Sequence, residues 1–500
     1  MKSLPRIMVK NDGYVFLIDD KPFIILGAEA HNSACTSRKY MENVWNKASD
    51  INCNTILAPV YWELIEPEEG RFEFSLVREL IEDARAHNMR LVLLWFGSWK
   101  NGRSTYVPKW IKTDLARFPR VLDEDGVRLN ILSMFDSEVL NVETKSFCAL
   151  MEYIKDIDEN HQTVIAVQVE NEVGVLETTR DFSPMADKGY KEFEIDDAIS
   201  EAYSKYPEEV FMGWHYACHM NALAKAGKAI YPLPMFTNVW LKEFEDEKPG
   251  YFPCGGPQPG ILEVWKKAAP DIDVLAPDIY TFQFDKIASL YTRADNPLLI
   301  PETRRDKWAV ANLYSAIGTY NAICYSPFGA ESIGENKSFI NQKIHTNFSD
   351  KNVSSEMIQN YLADSYRTFS NMMPILSLYY GTDKMVGFAQ DELHGNKILT
   401  LGKYRFNIEF YHNVDDNNEY IPGAGIAILV NDSELIFMGY GYKANVETKT
   451  SGKKLDFLSL TKGIYDENAC WIETMFLNGD EQHVQMEETV TILRAEFYEY

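Results

Sequence analysis

The stretch Val164–Glu172, VIAVQVENE, runs from mostly apolar, β-prone residues into a polar end. Runs of this kind are typical of strands that are buried on both faces of a parallel sheet. The run belongs to a series of eight short candidate strands, and amphipathic helical stretches separate them. The candidate strands are Pro22–Ala28, Thr55–Tyr61, Arg90–Phe96, Val164–Val169, Met235–Val239, Val274–Ile279, Leu298–Pro301 and Ala322–Ser326. This alternation predicts βαβ units, and eight of them favour a (β/α)8 barrel with enlarged loops.

The intervening stretches have the helical period of apolar residues. Candidate helices include Ser37–Asp50, Ser75–His87, Asn141–Asp158, Tyr190–Tyr206 and Asp306–Thr319. A doubly wound open sheet is the alternative arrangement of such units. It usually carries a glycine-rich phosphate loop after the first strand, where this chain has GAEAHNSA at Gly27–Ala34. The barrel is therefore the preferred prediction.

The pattern changes after about Met373. Alternating strands replace the helical period, and turn-forming clusters such as DDNNEY separate them. The candidate strands are Lys403–Phe410, Gly425–Val430, Glu434–Tyr440 and Thr489–Phe497. We expect a catalytic barrel over residues 1–373 and an antiparallel β-sandwich over residues 374–500. The sandwich is expected to brace the barrel helices, with carbohydrate binding as the alternative.

Composition narrows the classes of partner. The formal net charge of −25 disfavours nucleic acid and anionic membranes, because polyanions are repelled by an acidic surface. No apolar run is long enough to span a bilayer, and the first residues lack the pattern of a secretory signal. Seven scattered cysteines favour reduced thiols over a disulfide framework. These features predict a cytoplasmic location, while secretion from a longer precursor stays open.

Polar and aromatic residues stand where the candidate barrel strands end. The carboxyl ends of barrel strands form the active-site mouth in enzymes of this fold. The residues at these ends are Glu29, His31, Trp62, Glu63, Trp95, Trp99, Gln168, Glu170, Asn171, Glu172, Asn238, Trp240, Asp278, Tyr280, Glu302, Ser326 and Phe328. Acids and amides bind hydroxyl groups, and aromatic rings stack on the apolar face of a sugar. The set predicts a carbohydrate site, with Glu29, Trp62 and Asn238 among the binding residues.

Two of these acids, Glu172 and Glu302, end the fourth and seventh candidate strands and would face each other across the mouth. Glycoside hydrolysis needs two carboxyl groups, one to protonate the leaving oxygen and one to attack or to activate water. Asn171 beside Glu172 is suited to bind the sugar 2-hydroxyl. A metal centre is not expected: the helical pair His215 and His219 lacks a third ligand at suitable spacing.

Three motifs resemble a known clan of glycosidases. QVENEVG at Gln168–Gly174 and LLIPETR at Leu298–Arg304 resemble the retaining barrel glycosidases in which an Asn-Glu pair ends strand 4 and a Glu ends strand 7. VYWELIEPEEGRFEF at Val60–Phe74 is similar to a signature of the β-galactosidases of glycoside hydrolase families 35 and 42. The resemblance extends over roughly residues 12–375 and is looser beyond them.

The resemblance implies Glu172 as acid/base, Glu302 as nucleophile, and Tyr280 as a hydrogen-bond partner of the nucleophile. It also implies a cofactor-free exo-β-galactosidase that removes terminal galactose from oligosaccharides such as plant cell-wall side chains. The segment FGSWKNGRS at Phe96–Ser104 departs from the galactose-binding C-A-E-W segment of many family 35 enzymes. Another β-glycosidase of the clan (a β-glucosidase or an endo-glucanase) and a non-catalytic sugar-binding protein therefore stay open, as does a homo-oligomer.

Overall fold

The computed structural model describes residues 3–194, 196–244, 246–333, 353–391, 395–412 and 419–500. The strands before residue 330 are β1 (Arg6–Lys10), β2 (Gly13–Ile18), β3 (Lys21–Pro22), β4 (Ile25–Glu29), β5 (Thr55–Tyr61), β6 (Arg90–Lys100), β7 (Arg120–Leu122), β8 (Arg128–Leu132), β9 (Val164–Asn171), β10 (Met235–Trp240), β11 (Val274–Asp278), β12 (Leu299–Thr303) and β13 (Cys324–Pro327). Strands β1 to β3 form a small antiparallel sheet, and β7 and β8 form a two-stranded ribbon.

The helices are α1 (Arg38–Asp50), α2 (Trp62–Ile65), α3 (Ser75–Ala86), α4 (Lys109–Thr113), α5 (Ser137–Asp158), α6 (Pro184–Lys191), α7 (Ser200–Lys205), α8 (Pro207–Ile230), α9 (Leu262–Ala268), α10 (Phe284–Tyr291), α11 (Lys307–Gly318) and α12 (Ser355–Tyr379). Side-chain caps explain several of their starts. Asp306 accepts hydrogen bonds from the backbone N–H groups of Trp308 and Ala309 at the start of α11, and Ser37 caps α1 in the same way. In the described part of the chain, no helix combines the length and apolar character that crossing a bilayer requires.

Eight parallel strands form the central sheet of the described chain, in the order β11-β10-β9-β6-β5-β4-β13-β12. A parallel bridge between Ile279 and Thr303 joins its two ends, and the Ile279 backbone N–H donates to the Glu302 carbonyl at 3.0 Å. Helices connect successive strands and cover the outside of the sheet. This arrangement confirms the predicted (β/α)8 barrel and brings the carboxyl ends of all eight strands to one mouth.

The predicted helix over Tyr190–Tyr206 is wrong. Helix α6 ends at Lys191, α7 begins only at Ser200, and a new helix, α8, begins at Pro207. Proline disfavours the helical conformation of the residue before it and is well suited to the first turn of a helix. Tyr206, which separates α7 from α8, accordingly lies outside the helical region, with φ −139° and ψ 62°. The apolar period alone did not reveal this break.

The C-terminal part consists of two antiparallel sheets, as predicted. Its strands are β14 (Met385–Ala389), β15 (Lys397–Leu401), β16 (Tyr404–Phe410), β17 (Ala424–Leu429), β18 (Glu434–Tyr440), β19 (Tyr442–Thr448), β20 (Leu455–Tyr465), β21 (Trp471–Phe476), β22 (Val484–Met486) and β23 (Thr491–Glu499). One sheet has the order β14-β17-β18-β23-β20-β21 and the other β15-β16-β19-β22. Aromatic residues such as Phe406 and Phe437 meet between them at a centroid distance of 5.7 Å. The boundary at residue 373 stays a prediction, and α12 runs through that position.

A close backbone contact joins the barrel to this C-terminal part. The Thr319 hydroxyl, just after α11, donates to the Gly387 carbonyl at 2.7 Å and accepts from the Gly387 N–H at 3.0 Å. A β-carbon added to Gly387 would lie 2.1 Å from the Tyr314 carbonyl oxygen and 2.9 Å from the Gly318 α-carbon. Strand β14 lies directly against α11 because a glycine stands on each side of the contact, Gly387 on the strand and Gly318 on the helix.

We expect Gly387→Ala to destabilise the protein by about 1–3 kcal/mol, the range typical of an overpacked interior. The free energy of unfolding, measured with urea, checks this. Gly395→Ala is the matched control, because an added β-carbon there has no atom within 4 Å. Equal stability of both variants would contradict the close contact between α11 and β14.

Candidate active site

Three carboxyl groups meet at the mouth of the barrel. Glu302 lies in β12, Asp278 ends β11, and Glu172 follows β9 directly. One carboxylate oxygen from each lies within 4.8 Å of those from the other two. Their exposed fractions are only 6% for Glu172, 2% for Asp278 and 5% for Glu302. The structure therefore brings the two predicted acids together and adds a third, which the sequence analysis had identified only as a strand-end residue.

Glu302 is surrounded by hydrogen-bond donors. The Tyr280 hydroxyl donates to its Oε2 at 2.8 Å. The side-chain amides of Asn171 and Asn238 approach its Oε1 at 3.3 and 3.4 Å. Donors of this kind stabilise the ionised form of a buried carboxyl group. All three donors were predicted as site residues from their positions at strand ends.

Asn238 also connects the three acids with one another. Its Oδ1 accepts the backbone N–H of Glu172 at 2.9 Å, and its Nδ2 donates to Asp278 at 2.8 Å. Glu172 itself has a φ of +46°, a left-handed conformation that is uncommon for residues other than glycine. The hydrogen bond to Asn238 helps to hold this conformation at the point where the chain leaves β9.

The environment favours a protonated Glu172. Burial and the negative charge of Glu302 raise the pKa of Glu172 to about 7, while Lys100 and a hydrogen bond with Asp278 act in the opposite direction. Burial, followed by the charges of Glu302 and Glu172, also raises the pKa of Asp278 well above its usual range. Carboxylates this close do not all ionise together, because their mutual repulsion is weakly screened in a buried site.

Glu29 and Lys100 complete the base of the site. Glu29, the last residue of β4, is fully buried, and neither carboxylate oxygen has a hydrogen-bond partner among the described residues. Burial and the charge of Glu302 raise the pKa of Glu29 well above its usual range. Lys100, the last residue of β6, donates to the Asn171 Oδ1 at 2.8 Å. No apolar run marks Lys100 in the sequence, because β6 extends four residues beyond the run that ends at Phe96.

Glu170 does not face the mouth, contrary to the sequence-based expectation. It accepts hydrogen bonds from the backbone N–H groups of Ser98 and Trp99 at 2.7 and 2.8 Å. Its carboxyl group also pairs with buried Glu143, which in turn contacts His219 at 2.9 Å. Burial and the charge of Glu143 raise the pKa of Glu170 well above its usual range. This buried cluster holds the ends of β6 and β9 together.

Trp62 is fully buried. Its Nε1 donates to Glu66 at 2.9 Å, and its ring packs against Trp95 and Trp110. Trp95 is also fully buried and donates to Glu143 at 3.0 Å. The expectation that Trp62 offers a stacking face to a sugar is therefore not supported, because its ring is fully buried among other side chains. Trp240, which is half-buried at the end of β10, retains an accessible ring.

The two histidines of the helical pair contact different partners. His219 contacts Glu143, whereas His215 packs against Phe135 and Phe211. Among the described residues, the group of possible metal ligands that meets in space is Glu172, Asp278 and Glu302. Neighbouring carboxyl groups are also what acid/base chemistry uses. Tyr280 and two amides already supply donors to Glu302, which suits an organic substrate better than a cation site.

A parallel barrel with buried carboxyl groups side by side at its mouth has the chemical groups that glycoside hydrolysis needs. Comparisons with known proteins agree with this class. Residues 34–206 match the family model described as "Beta-galactosidase", and residues 362–487 match a domain of unknown function (DUF5597). A β-galactosidase of Xanthomonas manihotis is 28% identical over 174 residues, which is 32% of this chain and 26% of that protein.

The human β-galactosidase-1-like protein 2 is 27% identical over 183 residues, or 36% of this chain and 27% of that protein. The chain thus matches about a quarter of the length of these two relatives. A solved β-galactosidase from Marinomonas ef1 has a TM-score of 0.49 at 12% identity and covers 70% of this chain and 60% of its own. One from Bacillus circulans has a TM-score of 0.49 at 10% identity, covering 94% and 99%. Over the matched residues, the chain is therefore similar in sequence to β-galactosidases.

We expect Glu302→Gln to lower the pKa of Glu172 from about 7, because a neighbouring negative charge is removed. Burial remains, so the pKa should stay above the ordinary range of a glutamate. Carbon-13 NMR of labelled glutamate side chains measures this, with the Glu172 signal assigned from its loss in Glu172→Gln. Glu82→Gln, at a side chain on α3 that is 51% exposed, serves as the control. An unchanged titration of Glu172 would contradict the inferred interaction between the two acids.

Proposed function

We propose that the chain is a retaining exo-β-galactosidase. The observation that carries the proposal is the approach of Glu172 and Glu302 to within 4.8 Å at the barrel mouth. Retaining glycosidases hold their two carboxyl groups about 5–5.5 Å apart, whereas inverting enzymes leave about 6.5–9.5 Å for a water molecule. An oxygen–oxygen distance of at most 4.8 Å leaves little room for a water molecule between the two acids, and this favours direct attack by a carboxylate on the sugar.

The two acids have suitably different surroundings. Glu302 accepts hydrogen bonds from Tyr280 and from two amides, which favours its ionised form and its role as nucleophile. The pKa of Glu172, raised to about 7 by burial and by the Glu302 charge, favours a proton donor near neutral pH. The environment thus separates the two roles between chemically identical side chains.

The reaction then proceeds in two displacements. In the first, Glu302 forms a bond to the anomeric carbon while the glycosidic bond breaks and Glu172 gives its proton to the leaving oxygen. In the second, Glu172 removes a proton from water, whose oxygen displaces Glu302 and releases the sugar with retained configuration. Asn171 is placed to bind the 2-hydroxyl, an interaction that strengthens in the transition state. Once Glu302 is esterified, its negative charge no longer raises the pKa of Glu172, which makes Glu172 a better match for its second role.

The choice of galactose is supported by the matching β-galactosidase model and by the two curated relatives. Glu29 is a candidate for binding further hydroxyls, since its buried oxygens have no protein partner among the described residues. The exo mode and plant cell-wall side chains as the source of galactose complete the proposal. We further propose that the C-terminal sheets brace the barrel through α11.

A panel of aryl β- and α-glycosides tests the reaction and the sugar together. We expect the β-galactoside alone to be hydrolysed efficiently, and both Glu172→Gln and Glu302→Gln to lose at least about 10³-fold in kcat/KM, as removal of an essential catalytic group does. The distant Glu82→Gln variant should retain wild-type activity. Efficient hydrolysis of a β-glucoside instead would overturn the galactose assignment, and binding without turnover would favour a non-catalytic sugar-binding protein.

Added azide distinguishes the two roles, because a small nucleophile can replace a missing carboxylate. In Glu302→Ala, azide attacks the substrate directly and should yield the α-galactosyl azide. In Glu172→Ala, azide attacks the galactosyl-enzyme intermediate and should yield the β-anomer. Proton NMR of the product gives the configuration. The same anomer from both variants would contradict the assignment of nucleophile and acid/base.

The pH profile of kcat/KM follows from the protonation of Glu172. The first displacement requires the protonated acid, so activity should fall as the pH rises through about 7, the pKa given by burial and by the Glu302 charge. Initial rates between pH 5 and 9 on an alkyl β-galactoside, whose poor leaving group needs protonation, measure this limb. A flat profile up to pH 9 on a substrate with a poor leaving group would argue against Glu172 as the acid.

A further inference from the structure

Lys100 occupies an unusual position for a lysine. It ends β6 at the base of the site, is only 6% exposed, and its Nζ lies 4.8 Å from the centroid of the Phe96 ring. Lysine is rarely buried unless its charge is paired, because removing an ammonium group from water is costly. Here the compensation comes from nearby acids and from a hydrogen bond to Asn171.

The hydrogen bond to Asn171 determines which way that amide faces. A lysine ammonium has three donors and no acceptor, so it can be satisfied only by the oxygen of an amide. The Asn171 Oδ1 accordingly accepts from Lys100 at 2.8 Å. The other end of the amide, Nδ2, is then directed toward Glu302 at 3.3 Å. A rotated amide would place two donors face to face and would present an oxygen to the Glu302 carboxylate.

We propose that Lys100 is a positioning residue for the glycosidase reaction, acting through Asn171. By holding the amide oxygen, it keeps the Asn171 N–H groups directed at the nucleophile and at the 2-hydroxyl of the bound sugar. This inference rests on the proposed function and adds a residue to its machinery. It also gives a physical reason for a lysine at the end of the third barrel strand.

Charged and titratable groups face Lys100 from several elements. They are Glu29 from β4, Glu172 after β9, Asp278 from β11, Glu302 from β12 and Tyr106 from the loop after β6. Burial opposes the charge of Lys100, but the four carboxyl groups together raise its pKa. Conversely, Lys100 lowers the pKa of Glu172. A neutral residue at position 100 should therefore shift the basic limb of the pH profile to higher pH.

The experiment compares Lys100→Met, which keeps the apolar stem but removes the donor and the charge, with Lys100→Arg, which keeps both. Each is made alone and together with Asn171→Ala, and kcat and KM are measured on an aryl β-galactoside and its 2-deoxy analogue. We expect Lys100→Met to lower kcat about 100-fold, as a misplaced catalytic contact does. In the Asn171→Ala background, and on the 2-deoxy substrate, the same substitution should cost far less. Lys100→Arg should restore part of the activity.

A structural role alone predicts a different outcome. If Lys100 only stabilises the fold, Lys100→Met will lower the unfolding temperature and reduce activity by the same factor in both backgrounds and on both substrates. That result would overturn the inference, as would an unshifted basic limb. Thermal unfolding of every variant, with Glu82→Gln as the control, identifies any that fail to fold.

A readout that needs no substrate separates this inference from the proposed function. The side-chain amide signal of Asn171, assigned from its loss in Asn171→Ala, should move in Lys100→Met and not in Glu82→Gln. An unmoved signal would refute the positioning role even in an active enzyme. A moved signal together with no turnover of any glycoside by the wild type would refute the proposed function and leave the amide orientation established.

Discussion

The cost of burying several acids within a few ångströms of one another governs this site. Glu172, Asp278 and Glu302 share a space in which each has an oxygen within 4.8 Å of the others. Full ionisation of all three would be strongly unfavourable at low effective dielectric. The protein responds by raising the pKa of Glu172 and Asp278 while surrounding Glu302 with donors. The raised pKa of Glu172, which keeps on this residue the proton that the proposed reaction needs, is thus a consequence of burial and of the neighbouring charge.

That arrangement depends on a framework behind the strands. Glu170 has a φ of +61° and accepts the backbone N–H groups of Ser98 and Trp99, so the ends of β6 and β9 are tied together. Asn171 and Lys100, the last residues of the same two strands, then meet on the mouth side. Strained backbone of this kind persists only where the surroundings hold it in place, and it is common at functional sites.

The C-terminal sheets contact an element that is adjacent in the chain to the site. They contact the end of α11, the helix that follows β12 and therefore the strand carrying Glu302. Gly387 allows β14 to lie against this helix at backbone distance. In the proposed bracing role, this packing would act on the helix that follows β12, and catalytic rates are sensitive to small displacements of reacting groups.

Local pattern was sufficient to predict the barrel and much of its site. The strand Thr55–Tyr61 was predicted to the residue, because its apolar run coincides with its hydrogen-bonded length. Glu172, Glu302, Asn171, Asn238 and Tyr280 were predicted to lie together because the carboxyl ends of parallel strands converge, and the structure brings them into contact. Topology thus brings the strand ends that carry these residues to one mouth.

Other features were decided only by contacts between residues distant in the chain. Asn171 and Glu302 are separated by 131 positions, and the orientation of the Asn171 amide depends on Lys100, which no apolar period marks. Whether Glu170 and Trp62 face the mouth or the packed interior depends on partners such as Glu143 and Glu66. The sequence by itself determined which residues end the strands. Tertiary structure alone decided which way their side chains point and where the shared protons reside, because both depend on distances that no local pattern encodes.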